Sequence, residues 1–268
     1  MKDQFRVAFP LVLEGEGSLT LTFTLQKDTT LEFKKGLYYL YGDNGSGKTT
    51  FLNMLALLAG CIGKKAMNHQ GGIEFNGESY KGKHFNHIRA AEIREKSFCI
   101  FSQKAFFLPV STRDNYLVLN GSDKRRAETF SKRENPDLLS GGQQQKILID
   151  IVLDDKKPVW FLDEPLTNLD AERRHYFWTA LELAYRKELN TIFFIDHYMG
   201  TEIKNAENFR IHNTLTVYTE NIQRDSPSKL EFKQIEIYEN SSPQKFFREQ
   251  IETIEKEKSF EQRMDPLF

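Results

Sequence analysis

Residues 36–49 read Gly36-Leu-Tyr-Tyr-Leu-Tyr41-Gly42-Asp43-Asn44-Gly45-Ser46-Gly47-Lys48-Thr49, an apolar run that passes directly into a glycine-rich loop. The run has the compact apolar character of a central strand, and Thr50 to Ala59 beyond the loop reads as a buried helix. Gly42 to Thr49 fits the pattern G-x-x-x-x-G-K-[ST], the Walker A or P-loop motif, in the strand–loop–helix setting that the motif requires. Successive backbone N–H groups of such a loop face inward and cradle phosphate oxygens, and the helix that follows adds its positive N-terminal end. Lys48 would reach the β- and γ-phosphates and the Thr49 hydroxyl would meet Mg²⁺. Gly42, Asp43, Asn44, Gly45, Ser46, Gly47 and Thr50 complete the cradle. Chance gives such a match about once in a hundred chains of this length at average residue usage. A nucleoside triphosphate is therefore the expected ligand.

Val159-Trp-Phe-Leu-Asp163-Glu164 is an apolar strand ending in two carboxylates. A parallel strand beside the phosphate loop delivers its C-terminal end to the ligand crevice. There Asp163 would help to hold Mg²⁺, and Glu164 would orient and polarise the attacking water. Two acids at a strand end are common as solvated caps; their weight here comes from the phosphate loop.

Leu139-Ser140-Gly141-Gly142-Gln143 precedes a helix, a match expected by chance in roughly a few chains per ten thousand. Together with the phosphate loop and the Asp163–Glu164 strand, in this order, it resembles the signature loop of the ATP-binding cassette (ABC) ATPases. The resemblance covers roughly residues 19 to 210. It implies that Ser140, Gly141, Gly142 and Gln143 are presented to the γ-phosphate of an ATP held by a second subunit. It further implies that Gln103 is the Q-loop glutamine, touching Mg²⁺ and water, and that Pro165 to Asp170 is the D-loop, crossing a dimer interface. His197 would be the switch histidine at the γ-phosphate. With Glu164, His197 and Lys48 all in place, the resemblance implies an active Mg²⁺-dependent ATPase that closes head to tail on an identical or homologous subunit around two ATP.

The fold implied is an α/β P-loop NTPase of ABC type: a mainly parallel sheet core, an N-terminal antiparallel β subdomain and a small helical signature subdomain. The expected division is a nucleotide-binding domain over 1–210, with the helical subdomain at about 104–142, and a C-terminal extension over 211–268. Three features depart from the family pattern. The stretch Glu14-Gly-Glu-Gly-Ser-Leu-Thr20, where members place an aromatic residue on the adenine, has none; Phe9 and Phe23 are the aromatic residues nearby, and both also suit a core. The interval from Gln103 to Ser140 is short, so the helical subdomain is expected to be reduced, with Thr112-Arg-Asp-Asn115 opening its first helix. The segment after Gly200 resembles no regulatory domain; it reads as strands at Leu215–Thr219 and Leu230–Tyr238 and a helix at Pro243–Phe260. Phe247, Ile251 and Ile254 fall on one face of that helix, which fits packing on its own domain or docking of a partner.

Composition bounds the setting. A net charge of −1 offers no broad attraction to nucleic acid, and no nucleic-acid partner is expected. Two cysteines, Cys61 and Cys99, without metal-ligand spacing fit a reduced, intracellular protein. The longest apolar helix-like stretch, Phe51 to Ile62, is far shorter than the ~20 residues a membrane span needs. The ABC resemblance then implies a place on the cytoplasmic face of a membrane, as the ATPase subunit of a transporter whose spanning subunits are separate chains. A soluble ABC ATPase acting on a protein or nucleic-acid assembly is the alternative.

Overall fold

The computed structural model describes residues 5–14, 19–26, 30–58, 66–67, 71–80, 87–102, 107–120, 124–167, 169–188, 191–196, 206–217 and 228–264. Strands β1 (Phe5–Ala8), β2 (Leu11–Glu14), β3 (Leu19–Leu25), β4 (Thr30–Phe33) and β5 (Leu37–Tyr41) come before helix α1 (Lys48–Leu55). Strands β6 (Ala66–Met67), β7 (Gly72–Phe75) and β8 (Glu78–Tyr80) follow, then α2 (His87–Ser97) and β9 (Phe98–Phe101). Next come α3 (Thr112–Asn120), α4 (Lys124–Ala127) and α5 (Gly141–Leu153). The remainder is β10 (Val159–Asp163), α6 (Ala171–Glu188), β11 (Thr191–Ile195), β12 (Ala206–Val217), β13 (Ser228–Asn240) and α7 (Pro243–Met264).

One sheet has the order β6-β2-β3-β12-β13-β5-β11-β10-β9. Its parallel part is confined to β5, β11, β10 and β9; the other five strands pair antiparallel. The parallel strands are continuous apolar runs because both of their faces are covered. Tyr38, Leu40, Phe161 and Phe193 point to one side, Leu37, Tyr39, Trp160 and Phe194 to the other, following the two-residue period of a strand. On the first side lies α1 with a second, antiparallel sheet of order β4-β1-β7-β8. Its buried Phe5 ring sits 5.6 Å from Phe193 and 6.2 Å from Phe161, pinning the small sheet to the large one. On the second side lie α5, α6 and α7, with Trp178 at the centre.

Two expectations change, and one open reading is decided. Helix α1 ends at Leu55 rather than Ala59. Leu57 adopts a left-handed φ of 59°, its N–H bonds Met54 O, and the Leu58 N–H bonds Asn53 O. That is a Schellman stop, usually built on glycine; a leucine in the role is invisible to a residue-type rule. The boundary expected between 210 and 211 falls inside β12, and β12 and β13 lie in the middle of the large sheet, between β3 and β5. The apolar pattern does not announce most of β12, because His212, Asn213 and Thr214 interrupt it, and pairing on both sides holds the strand instead. Finally, the apolar stripe of α7 packs on its own domain. Phe247 and Ile254 are buried in the cluster with Trp178, and Ile251 packs against it. The short helical region is α3 and α4, joined by a 3-10 turn at Pro136–Leu138 to α5.

Candidate functional site

The phosphate loop leaves the end of β5, where the parallel strands deliver their C-termini. The Ser46 N–H bonds Asp43 O at 3.0 Å, and Gly47 is the N-cap of α1, its carbonyl accepting from Phe51 N–H at 2.8 Å. Gly47 has a φ of 92°, in the left-handed region, and a Cβ there would stand 3.2 Å from Asn213 Nδ2 and 3.5 Å from the Phe23 ring. Only glycine meets both conditions without strain. The Lys48 ammonium donates to Gly42 O at 2.6 Å and Asp43 O at 3.1 Å, folding back over the loop. Burial lowers its pKa below the usual 10.5, against the opposing pull of Glu164, Asp43 and Asp163. Asp43, Asn44, Gly45 and Thr49 are exposed, whereas Ser46 is buried and its Oγ has no hydrogen-bond partner among the described residues.

The Thr49 hydroxyl donates to Asp163 Oδ1 at 3.1 Å, joining the first turn of α1 to the end of β10. Both are hard oxygen groups of the kind that suits Mg²⁺. A recess of about 250 Å³ opens beside them, with Ser102 on its wall. Glu164, the next residue, has a left-handed φ of 51°, uncommon and costly for a glutamate. Its N–H bonds Ile195 O at 2.8 Å, and its Oε2 accepts from Thr167 Oγ1 at 3.2 Å. The sharp turn separates the direction of Glu164 from that of Asp163, so the two acids can serve different partners.

The Ser140–Gln143 loop forms a separate feature. Ser140 is the N-cap of α5: its Oγ accepts from Gln143 N–H at 3.4 Å, and its own N–H donates to Gln143 Oε1 at 3.1 Å. Ser-Gly-Gly-Gln is thus a capping box, with Gly141 leaving the first turn of the helix open. Ser140, Gly141 and Gln143 are exposed, and the adjoining Leu138 is 84% exposed. Among the described residues, no hydrogen bond joins Ser140 or Gln143 to the phosphate loop. Asp170 caps α6, accepting from Arg173 N–H at 2.8 Å. Gln103 and His197 lie outside the described residues, as does Asn168 of the D-loop.

Sequence reasoning passed over the residues that tie these parts together. Asp196, next to His197, is buried; its Oδ2 accepts from Leu166 N–H at 3.1 Å and its carbonyl from Tyr39 OH at 2.9 Å. Gln145 Nε2 donates to Pro165 O at 3.4 Å, joining α5 to the D-loop. Arg173 lies against Gly142, its Nη1 2.6 Å from where a Cβ would stand, so an alanine there would displace the guanidinium. The side-chain types alone carry no signal for these links; adjacency to the motifs was the only clue. Phe9 and Phe23 are both core residues packed on Phe51, so neither is placed to stack on a base.

Comparison with known proteins gives the family and the fold. Residues 26–167 match the family model described as ABC transporter. A molybdenum import ATP-binding protein of Saccharophagus degradans is 26% identical over 72% of this chain and 54% of its own length. An energy-coupling factor transporter ATP-binding protein of Staphylococcus epidermidis is 26% identical over 92% of this chain and 86% of its own. An ABC transporter ATP-binding protein of Bacillus subtilis is 30% identical over 70% of this chain and 84% of its own. The chain spans only about half the length, 54% and 47%, of the first two curated relatives it matches. In fold it is similar to a dimeric ATP-binding cassette solved with ADP and Pi, with a TM-score of 0.54 and 20% identity over 72% of this chain and 88% of the other.

Proposed function

The chain belongs to the ABC transporter family, and from that premise we propose that it is an ATPase subunit that hydrolyses ATP with Mg²⁺ and powers transport through separate membrane-spanning subunits. The observation that carries this reading is the convergence of Lys48, Thr49, Asp163 and Glu164 at the C-terminal end of the parallel strands. The orphaned, buried Ser46 Oγ fits a site that awaits a polar ligand.

In this reading the backbone N–H groups from Gly45 to Thr49 and the Lys48 ammonium hold the β- and γ-phosphates. Lys48 leaves Gly42 O and Asp43 O to do so. Thr49 Oγ1 and Asp163 would hold Mg²⁺, which when bound would neutralise developing charge on the phosphate oxygens. Among the described residues no three His, Cys, Asp or Glu side chains cluster for a metal. Mg²⁺ would then take its remaining ligands from phosphate and water, as it commonly does. Glu164 accepts the proton of the attacking water, and the strained turn at its backbone aims the carboxylate. His197 and Gln103 are assigned to the γ-phosphate and the Mg²⁺–water contacts by family resemblance.

The exposed capping box at Ser140 supports a head-to-tail dimer. Its exposed helix end, flanked by Arg173 at Gly142, offers N–H groups to an anion and, among the described residues, makes no hydrogen bond to its own chain's phosphate loop, which suits a γ-phosphate brought by a second subunit. Closure then follows ATP occupancy, because the γ-phosphate binds well only in the closed arrangement. Import systems are named among the relatives, which favours a transporter over the soluble alternative. Among the described residues no helix is long and apolar enough to cross a membrane, in keeping with a subunit on the cytoplasmic face of separate membrane chains.

The test compares Glu164→Gln with the unaltered chain. Turnover should fall by about 10²-fold or more, and size-exclusion chromatography should show a dimer with ATP that is absent with ADP. Unchanged turnover would overturn the assignment of Glu164. Affinity purification of the variant from detergent-solubilised cells should bring a polytopic membrane protein in equal amount; recovery of soluble partners alone would move the chain to the non-transport class.

A further inference from the structure

Strands β12 and β13 form a ribbon of 12 and 13 residues that outruns the strand beside it. Glu236 pairs with Tyr41, the last residue of β5, so residues 228–235 of β13 continue past the point where the phosphate loop begins. The ribbon touches the loop at three glycines. A Cβ on Gly42 would stand 2.7 Å from Gln234 O, one on Gly45 3.2 Å from Lys233 Nζ, and one on Gly47 3.2 Å from Asn213 Nδ2.

Asn213 also makes a hydrogen bond to the loop. It is buried, and both ends of its amide are used: Nδ2 donates to Ser46 O, and Oδ1 accepts from Lys233 N–H at 3.0 Å. It also sits where the β12–β13 register shifts, an irregularity that re-aims a side chain out of the ladder. A peptide unit is planar and trans, so its C=O and N–H point in opposite directions. Holding Ser46 O towards the ribbon therefore sends the Gly47 N–H the other way, away from Phe23 and Asn213. That N–H is one of those the phosphate loop offers to its ligand. Lys233 is exposed, and among the described residues it forms no ion pair. Its ammonium lies beside Gly45, where a bound polyphosphate would concentrate negative charge.

We propose that the β12–β13 ribbon is a working part of the nucleotide site, in which Asn213 positions the phosphate loop and Lys233 brings a second ammonium to the bound polyphosphate. This rests on the reading of the site as an ATP site and adds to it residues from outside every motif. Asn213 is a positioning residue, acting through the Ser46–Gly47 peptide; Lys233 acts through its charge.

Calorimetric titration of Mg-ATP and Mg-ADP into the full chain tests both. Lys233→Ala should weaken both nucleotides about fivefold at low salt, the effect of one partly screened charge. The loss should shrink between about 0.05 and about 0.5 M KCl, and Lys233→Arg should restore affinity. Asn213→Ala should weaken both nucleotides about tenfold or more, the effect of one lost hydrogen bond and a misdirected peptide. Asn213→Ser takes its place should that variant not fold. A merely structural Asn213 would lower the melting temperature and leave the affinity of the folded protein unchanged, which overturns the positioning role. Equal affinity and equal salt dependence in Lys233→Ala overturn the charge role. Failure of the unaltered chain to bind Mg-ATP would instead overturn the nucleotide reading itself, so the two failures are distinct.

Discussion

Truncating Phe247 to alanine tests whether the C-terminal helix is part of the domain or an attachment to it. The ring is fully buried, with Trp178 at 5.9 Å, Tyr185 at 5.7 Å and Phe246 at 5.9 Å between centroids. Around it α6 and α7 are also tied by Arg174 to Glu257 at 3.1 Å and His175 to Glu255 at 3.3 Å, exposed pairs worth little in water. The aromatic cluster therefore carries the docking. Removing a buried phenyl ring costs about 3–5 kcal/mol in transfer and cavity terms. A domain has only about 5–15 kcal/mol to lose, so most of the margin would go. At roughly 2–4 °C per kcal/mol for a chain near this size, melting should fall by about 10 °C. The chain has two tryptophans, Trp160 and Trp178, both buried on this side of the sheet, so intrinsic fluorescence in urea reports the unfolding directly. One cooperative transition moved to lower urea is expected. A loss under about 1 kcal/mol, within the range of ordinary surface changes, would refute the reasoning and make α7 an attachment.

Three further outcomes follow from the same contacts. Thr49→Val removes the hydroxyl that meets Asp163 Oδ1, and should weaken the Mg²⁺ dependence of ATP binding about tenfold while ATP binding without metal changes less, read by titration with and without a chelator. Cys99 is buried and its thiol is pushed well up by desolvation, so in a Cys61→Ser background an alkylating reagent should label it only as fast as the chain unfolds; rapid native labelling would contradict the burial. Burial raises the Asp150 carboxyl above its usual 3.8, despite the hydrogen bond from Tyr176 OH. The folded state then holds that proton more tightly than the unfolded one, so this group's contribution to stability falls as pH rises from 3.8 through the raised value. Asp150→Asn should gain stability relative to the unaltered chain as pH rises from 3.8 through the raised value, and a urea-midpoint difference that does not change with pH would oppose it.

The candidate site is legible in the sequence because its motifs are local codes. A glycine loop before Lys48, a Ser140–Gln143 capping box and two acids after an apolar strand each describe a turn or a cap within a few residues, and the structure forms each of them. Continuous apolar runs at Leu37–Tyr41, Val159–Asp163 and Thr191–Ile195 likewise declared strands buried on both faces. What the chain does beyond those codes depended on pairing across long separations. Asn213 and Lys233 look like ordinary polar residues in a weak strand pattern, and only the insertion of β12 and β13 between β3 and β5 brings them to Ser46 and Gly45. Sequence alone marks the glycine loop, the Ser140–Gln143 helix start and the acidic strand end, since turns, caps and charges are local properties. Tertiary structure decided which other residues hold that loop in shape and that the C-terminal strands and helix belong to the same core, because strand order and burial come from contacts that no stretch of a few residues encodes.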